Sequence, residues 1–163
     1  MSGKAGKQVQ LLTQQQLQEL SGRYQQLQSQ AEAISQQANM LQITIRDVET
    51  ALTTVTALKD ETAGKETLVP IGFGSFVNAT LTSPDKIVVG IGAGVSVEKS
   101  VDDAKGLLDK RKEELTKYHD KLNETLTKMG QELQNIQKIM QQQAQLYQAQ
   151  QSSQPRQQPM HAE

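Results

Sequence analysis

Apolar positions recur from Leu17 onward in strictly alternating steps of three and four: Leu17, Leu20, Tyr24, Leu27, Ala31, Ile34, Ala38, Leu41, Ile45, Val48, Leu52 and Val55. That spacing is the heptad seam of a coiled coil, a stripe too narrow for a broad core and suited to one helical partner. Only Gly22 interrupts the run, at a cost of about 1 kcal/mol. The pattern predicts a first helix over 9–60 behind a frayed lead-in at 1–8. At about 1.5 Å per residue such a helix is of the order of 60–75 Å long. Asp60 and Glu61 sit badly at the negative end of a helix dipole, and Gly64 offers a C-cap, so the helix is expected to stop there.

A second seam runs Val101, Ala104, Leu108, Arg111, Leu115, Tyr118 and Leu122, steps by four to Leu126, and continues through Met129, Leu133, Ile136 and Met140. Two successive steps of four make a stutter, which locally unwinds a left-handed supercoil near Leu122. Ser100 is placed to cap the helix N-terminus with Asp103 three residues on, and Asp102 suits the dipole. The second helix is predicted over 100–149, followed by a disordered tail at 150–163 that contains Pro155 and Pro159.

Between the helices, over 61–99, the period changes from heptad to alternation. Four strands are expected at 67–71, 75–81, 86–91 and 95–99, forming two consecutive β-hairpins. Ser83-Pro84-Asp85 suits a type I turn because proline presets φ, and the glycines around Phe73 and Ala93 tolerate the positive φ of tight hairpins. Four strands with at most one buried face leave edges whose N–H and C=O groups need partners. The expectation is assembly with other chains into a barrel-like ring through Val69, Ile71, Phe76, Val77, Leu81, Ile87, Val88, Val89, Ile91, Val95 and Val97. The predicted fold is α+β: a long antiparallel two-helix coiled coil with two central β-hairpins that oligomerise into a β-barrel body.

Because both helices are rooted in the same small sheet, their seam must be antiparallel. Leu11, Leu12, Leu17 and Leu20 then lie near Met140, Leu146 and Tyr147. Residues 8–45 and 130–150 are rich in Gln, whereas 98–124 are dense in charge. Gln is a good helix former whose amide both donates and accepts, so the bias fits either a neutral helix surface or an unselective contact zone. The small Ala31 and Ala38 in the seam suggest a weakly held end that can splay.

Composition narrows the class. At 163 residues, an apolar fraction of 36%, only 3% aromatic residues and no Trp argue against one deep core and for an extended protein. The absence of Cys removes disulfide and thiolate chemistry and is compatible with a reducing compartment. A net charge of −1 supplies no field for nucleic acid or anionic lipid. No apolar run approaches the roughly 18 residues of a membrane span, and the start MSGKAGKQ lacks a signal-peptide apolar segment, so a cytoplasmic location is expected.

Candidate chemistry is sparse. Gly90-Ile91-Gly92-Ala93-Gly94 fails as a dinucleotide fingerprint, since Val95 stands where the third glycine belongs and a strand follows where a helix is needed. His119 and His161 lack metal-ligand spacing and are expected in solvent. No catalytic residue, metal or cofactor is predicted.

The order helix, two hairpins, helix, with Val69-Pro70-Ile71-Gly72, Gly74-Ser75-Phe76, and Val89-Gly90-Ile91-Gly92-Ala93-Gly94 followed by Val97-Glu98-Lys99-Ser100, resembles the prefoldin family in its archaeal alpha class. The resemblance implies a hexamer of two alpha and four beta-type subunits with a double β-barrel body and six coiled-coil tentacles. It further implies that the tentacle ends hold unfolded client proteins without ATP and deliver them to a group II chaperonin. Client contacts then fall on Leu11, Leu12, Leu17, Leu20, Met140, Leu146 and Tyr147. The Gln-rich helix halves depart from the family pattern. The competing expectation is a structural tether or filament assembled through the same hairpins. Open-ended growth of the chain alone would single it out.

Overall fold

The structure, a computed structural model, describes residues 11–152. The lead-in expected at 1–8 and the tail beyond Ser152 lie outside the described residues. The element order is α1 (Gln14–Leu58), β1 (Glu66–Gly72), β2 (Ser75–Thr80), β3 (Lys86–Gly92), β4 (Val95–Ser100) and α2 (Val101–Ser152). The described residues divide into two units, 11–36 with 123–152 and Gln37–Leu122. The second boundary falls at the stutter, where the heptad spacing is broken.

In the unit formed by Gln37–Leu122, the two helices run antiparallel and meet the second hairpin in a small core of Val55, Val89, Val101 and Ala104, flanked by Ile87, Leu107 and Leu108. Ala104 is fully buried, so a larger side chain there has no room. The helix pair carries ion pairs on its flanks, Lys59–Asp102 and Lys112–Glu49, both at 2.8 Å. The Lys59 ammonium hydrogen-bonds and attracts the Asp102 carboxyl, holding it below its usual range, and the lysine is raised in turn. Exposed pairs of this kind add little stability.

The strands do not form one sheet. β1 pairs only with β2 and β3 only with β4, giving two separate two-stranded ribbons. The expected single small sheet is thus corrected to two, and four edges stand open instead of two. No closed barrel exists within one chain, since neither ribbon bonds the other. The two hairpins are near-copies offset by twenty residues: Val69 pairs with Val77 as Val89 pairs with Val97, and each has a register shift just before its turn.

Local chemistry explains the junctions. Ser100 Oγ accepts from Asp103 N–H at 3.1 Å, capping α2. Lys86 N–H donates to Ser83 C=O at 3.3 Å, closing the Ser-Pro-Asp turn. Gly64 does not cap α1 as expected: its φ is +89° and its N–H donates to Leu81 C=O at 2.7 Å, so it closes the base of the first hairpin. At the start of α1 a capping box that had gone unread holds Thr13, whose N–H donates to Gln16 Oε1 at 2.9 Å while its Oγ1 accepts from Gln16 N–H at 3.3 Å.

The α1 seam is covered at every predicted position, with Ala38, Ile45, Val48 and Val55 buried. The α2 seam departs at two. Arg111 and Tyr118 are exposed, because a long cation and a phenol find polar partners outside the stripe. Arg111 Nη1 donates to Gly90 C=O at 3.2 Å, and Tyr118 Oη accepts from Gln37 Nε2 at 2.9 Å. His119, expected in solvent, is largely covered, its side chain 19% exposed and Nδ1 3.8 Å from Asp120.

Candidate functional site

Two surfaces stand out, one on the hairpins and one where the helices begin and end. On the hairpins, each turn has two central residues with positive φ: Phe73 (+50°) with Gly74 (+69°), and Ala93 (+48°) with Gly94 (+75°). That conformation matches the twist of the flanking strands, and glycine adopts it freely. A residue with a Cβ does so at a cost of about 1 kcal/mol. Phe73 bears that cost with its ring fully exposed.

The residues expected on the assembly surface divide by environment. Val69, Ile71, Phe76, Val77, Val88, Ile91 and Val95 are exposed. Leu81, Ile87 and Val97 are half-buried. Val89 is not on the open surface: it is 7% exposed beneath the helices, while its repeat partner Val69 is 42% exposed. The second hairpin thus lends one face to its own chain's core, and the first keeps both faces largely open. Leu68 and Phe73 belong to the same exposed set and were missed. Aligning the hairpins at their twenty-residue offset would have found Leu68, since it sets that residue beside Val88.

At the helix ends, in the unit that joins residues 11–36 to 123–152, Leu11, Leu12, Leu17, Leu20, Met140, Leu146 and Tyr147 are all half-buried. The structure brings Leu12 and Tyr147 into direct contact. Tyr147 Oη donates to Leu12 C=O at 2.5 Å, and Leu12 N–H donates to Gln143 Oε1 at 2.9 Å. Gln143 is 4% exposed, the one polar residue buried among those described. Its spacing was the available signal: Gln143 and Tyr147 continue the α2 seam past Ile136 and Met140 by steps of three and four. Arg23 and Glu132 pair further along the same helices. Leu12 is thus tied to α2 by two polar bonds.

Neither surface brings together an acid, base and nucleophile. Among the described residues no group of three or more His, Cys, Asp or Glu could hold a metal ion. No helix among them is long and apolar enough to cross a membrane.

Comparison with known proteins places this arrangement. A family model described as "Prefoldin subunit" matches residues 27–146. The chain is 43% identical over 120 residues to prefoldin subunit alpha of Methanosarcina mazei, covering 72% of this chain and 84% of the relative. It is 33% identical over 133 residues to prefoldin subunit alpha of Pyrococcus horikoshii, covering 78% and 90%. Among solved structures, that of filamentous PFD from Methanocaldococcus jannaschii matches with a TM-score of 0.61 at 23% identity, covering 69% of this chain and 93% of that one. That last likeness speaks for the fold.

Proposed function

We propose, on the premise that this chain belongs to the prefoldin family and is similar to its alpha subunits, that it is the alpha-type subunit of an ATP-independent holdase in the cytoplasm. Its hairpins join beta-type subunits, two alpha to four beta, in a barrel body. Its helix ends hold unfolded client proteins for delivery to a group II chaperonin. Family membership brings a chaperone-type role, and the specific form rests on the chain's surfaces.

The observation that carries the reading is where apolar surface is left uncovered. Among the described residues, nine of the thirteen exposed large apolar side chains lie on the hairpins: Leu68, Val69, Ile71, Phe73, Phe76, Val77, Val88, Ile91 and Val95. Exposed apolar side chains on ribbons with open strand edges mark a protein-interaction surface, since burial removes the apolar area from water and a partner strand can pair with the edges. The half-buried leucines around Leu12 and Tyr147 supply a second, smaller apolar surface for clients.

Mass measurement of the chain alone and mixed with a single-hairpin beta-type subunit tests assembly, with a discrete hexamer expected only in the mixture. Removing 1–16 and 140–163 should preserve that hexamer and weaken suppression of client aggregation. Undiminished suppression would refute a client site at the helix ends. The four open edges also fit a second reading, a filament or tether built by this chain alone. Open-ended growth without a partner would select it.

A further inference from the structure

The tie between Leu12 and α2 is more than a helix end needs. Thr13 already caps α1 through its box with Gln16. Leu12 precedes that cap and is not helical, yet both of its main-chain groups are bound by side chains 131 and 135 residues away. Gln143 accepts its N–H and Tyr147 donates to its C=O. These two side chains stand one turn apart on α2 and therefore face the same way. Together they read the backbone of one residue and nothing of its side chain, so any residue except proline satisfies them.

We propose that Gln143 and Tyr147 form a main-chain clamp for extended polypeptide, occupied in this structure by the chain's own Leu12, which a segment of unfolded client displaces. The inference rests on the holdase reading and specifies how its client site works. An unfolded client exposes N–H and C=O groups bonded only to water, and a surface near apolar side chains must replace those bonds as it covers them. Exchange of Leu12 for a client residue breaks two hydrogen bonds and remakes the same two. The polar part of the exchange is balanced, and the half-buried Leu11, Leu12, Leu17 and Leu146 set its direction against the client's apolar side chains. A resident occupant scales the apparent affinity by the fraction of time the site is free. Clients therefore bind more weakly than they would to an empty clamp.

The test uses the assembled full-length chain and a fluorescent ten-residue apolar peptide, compared with its twin N-methylated along the backbone. Wild type is expected to bind the methylated twin at least about fivefold more weakly, because each methyl removes an N–H that Gln143 would accept. The double variant Gln143→Leu with Tyr147→Phe should bind both peptides alike. Leu12→Pro, which removes the resident N–H together with the resident leucine side chain at a position ahead of the helix, should bind the unmethylated peptide severalfold more tightly. Equal affinity of wild type for the two peptides, discrimination that persists in the double variant, or a Leu12→Pro affinity no higher than wild type would each overturn the clamp. Aggregation suppression by wild type is read in parallel. Its absence would sink the holdase reading itself, whereas its presence with undiscriminated peptides would sink the clamp alone.

Discussion

Phe73 offers the sharpest separation between folding and assembly. Its ring is fully exposed, so Phe73→Ala removes no contact within the chain. Its φ of +50° nearly equals the +48° of Ala93 at the matching turn, so alanine is already proven in this conformation and the backbone penalty is unchanged. Chain stability is therefore expected to move by no more than about 0.5 kcal/mol. If the hairpin tip enters a partner, burying the ring contributes roughly 1.5–3 kcal/mol. Losing it weakens association about tenfold to a hundredfold. Phe73→Gly is the companion variant. It relieves left-handed strain of about 1 kcal/mol, so it should raise chain stability while weakening assembly as the alanine does. Thermal unfolding of the isolated chain and sedimentation equilibrium with a beta-type subunit read the two quantities separately. An unchanged association constant for Phe73→Ala would show that the ring stays in solvent in the complex, and the hairpin-tip contribution to assembly would be refuted.

Other consequences concern the fold. Ala104→Leu forces a larger side chain into a fully buried position and should destabilise by about 1–3 kcal/mol, seen as a lower unfolding midpoint. Ser100→Ala removes the acceptor for Asp103 N–H and should cost about 1 kcal/mol, with loss of helical signal on heating beginning earlier than in wild type. Asp102 and Glu113 are held below their usual range by hydrogen bonds and charge from Lys59 and Lys117, so their contribution is present above the ordinary carboxylate pKa and lost as pH falls through the depressed values. Lys59, Lys86 and Lys117 are raised by Asp102, Glu98 and Glu113, so theirs is present below the ordinary lysine pKa and lost as pH rises through the elevated values. Both effects should be small and should fade in high salt, and an acid limb of the melting profile that salt leaves untouched would point elsewhere.

The amino-acid sequence by itself determined the elements, because their causes are local. Steps of three and four from Leu17 to Val55 place one residue after another on the same helical stripe whatever lies opposite. Ser100 caps and Ser83-Pro84-Asp85 turns through bonds to their own neighbours. Only tertiary structure decided which of two near-identical hairpins is covered. Val69 and Val89 occupy the same place in the repeat, but Val55, Val101 and Ala104 pack on one and not the other. It likewise turned Arg111 and Tyr118 out of a seam their spacing had put them in, since Gly90 and Gln37 offered hydrogen bonds there. And it set Gln143, which the spacing after Met140 puts on the α2 seam, against the backbone of Leu12 far away along the chain. Periodicity is a property of neighbours along the chain, whereas burial and pairing belong to residues far apart in it, which only the folded backbone brings within bonding distance.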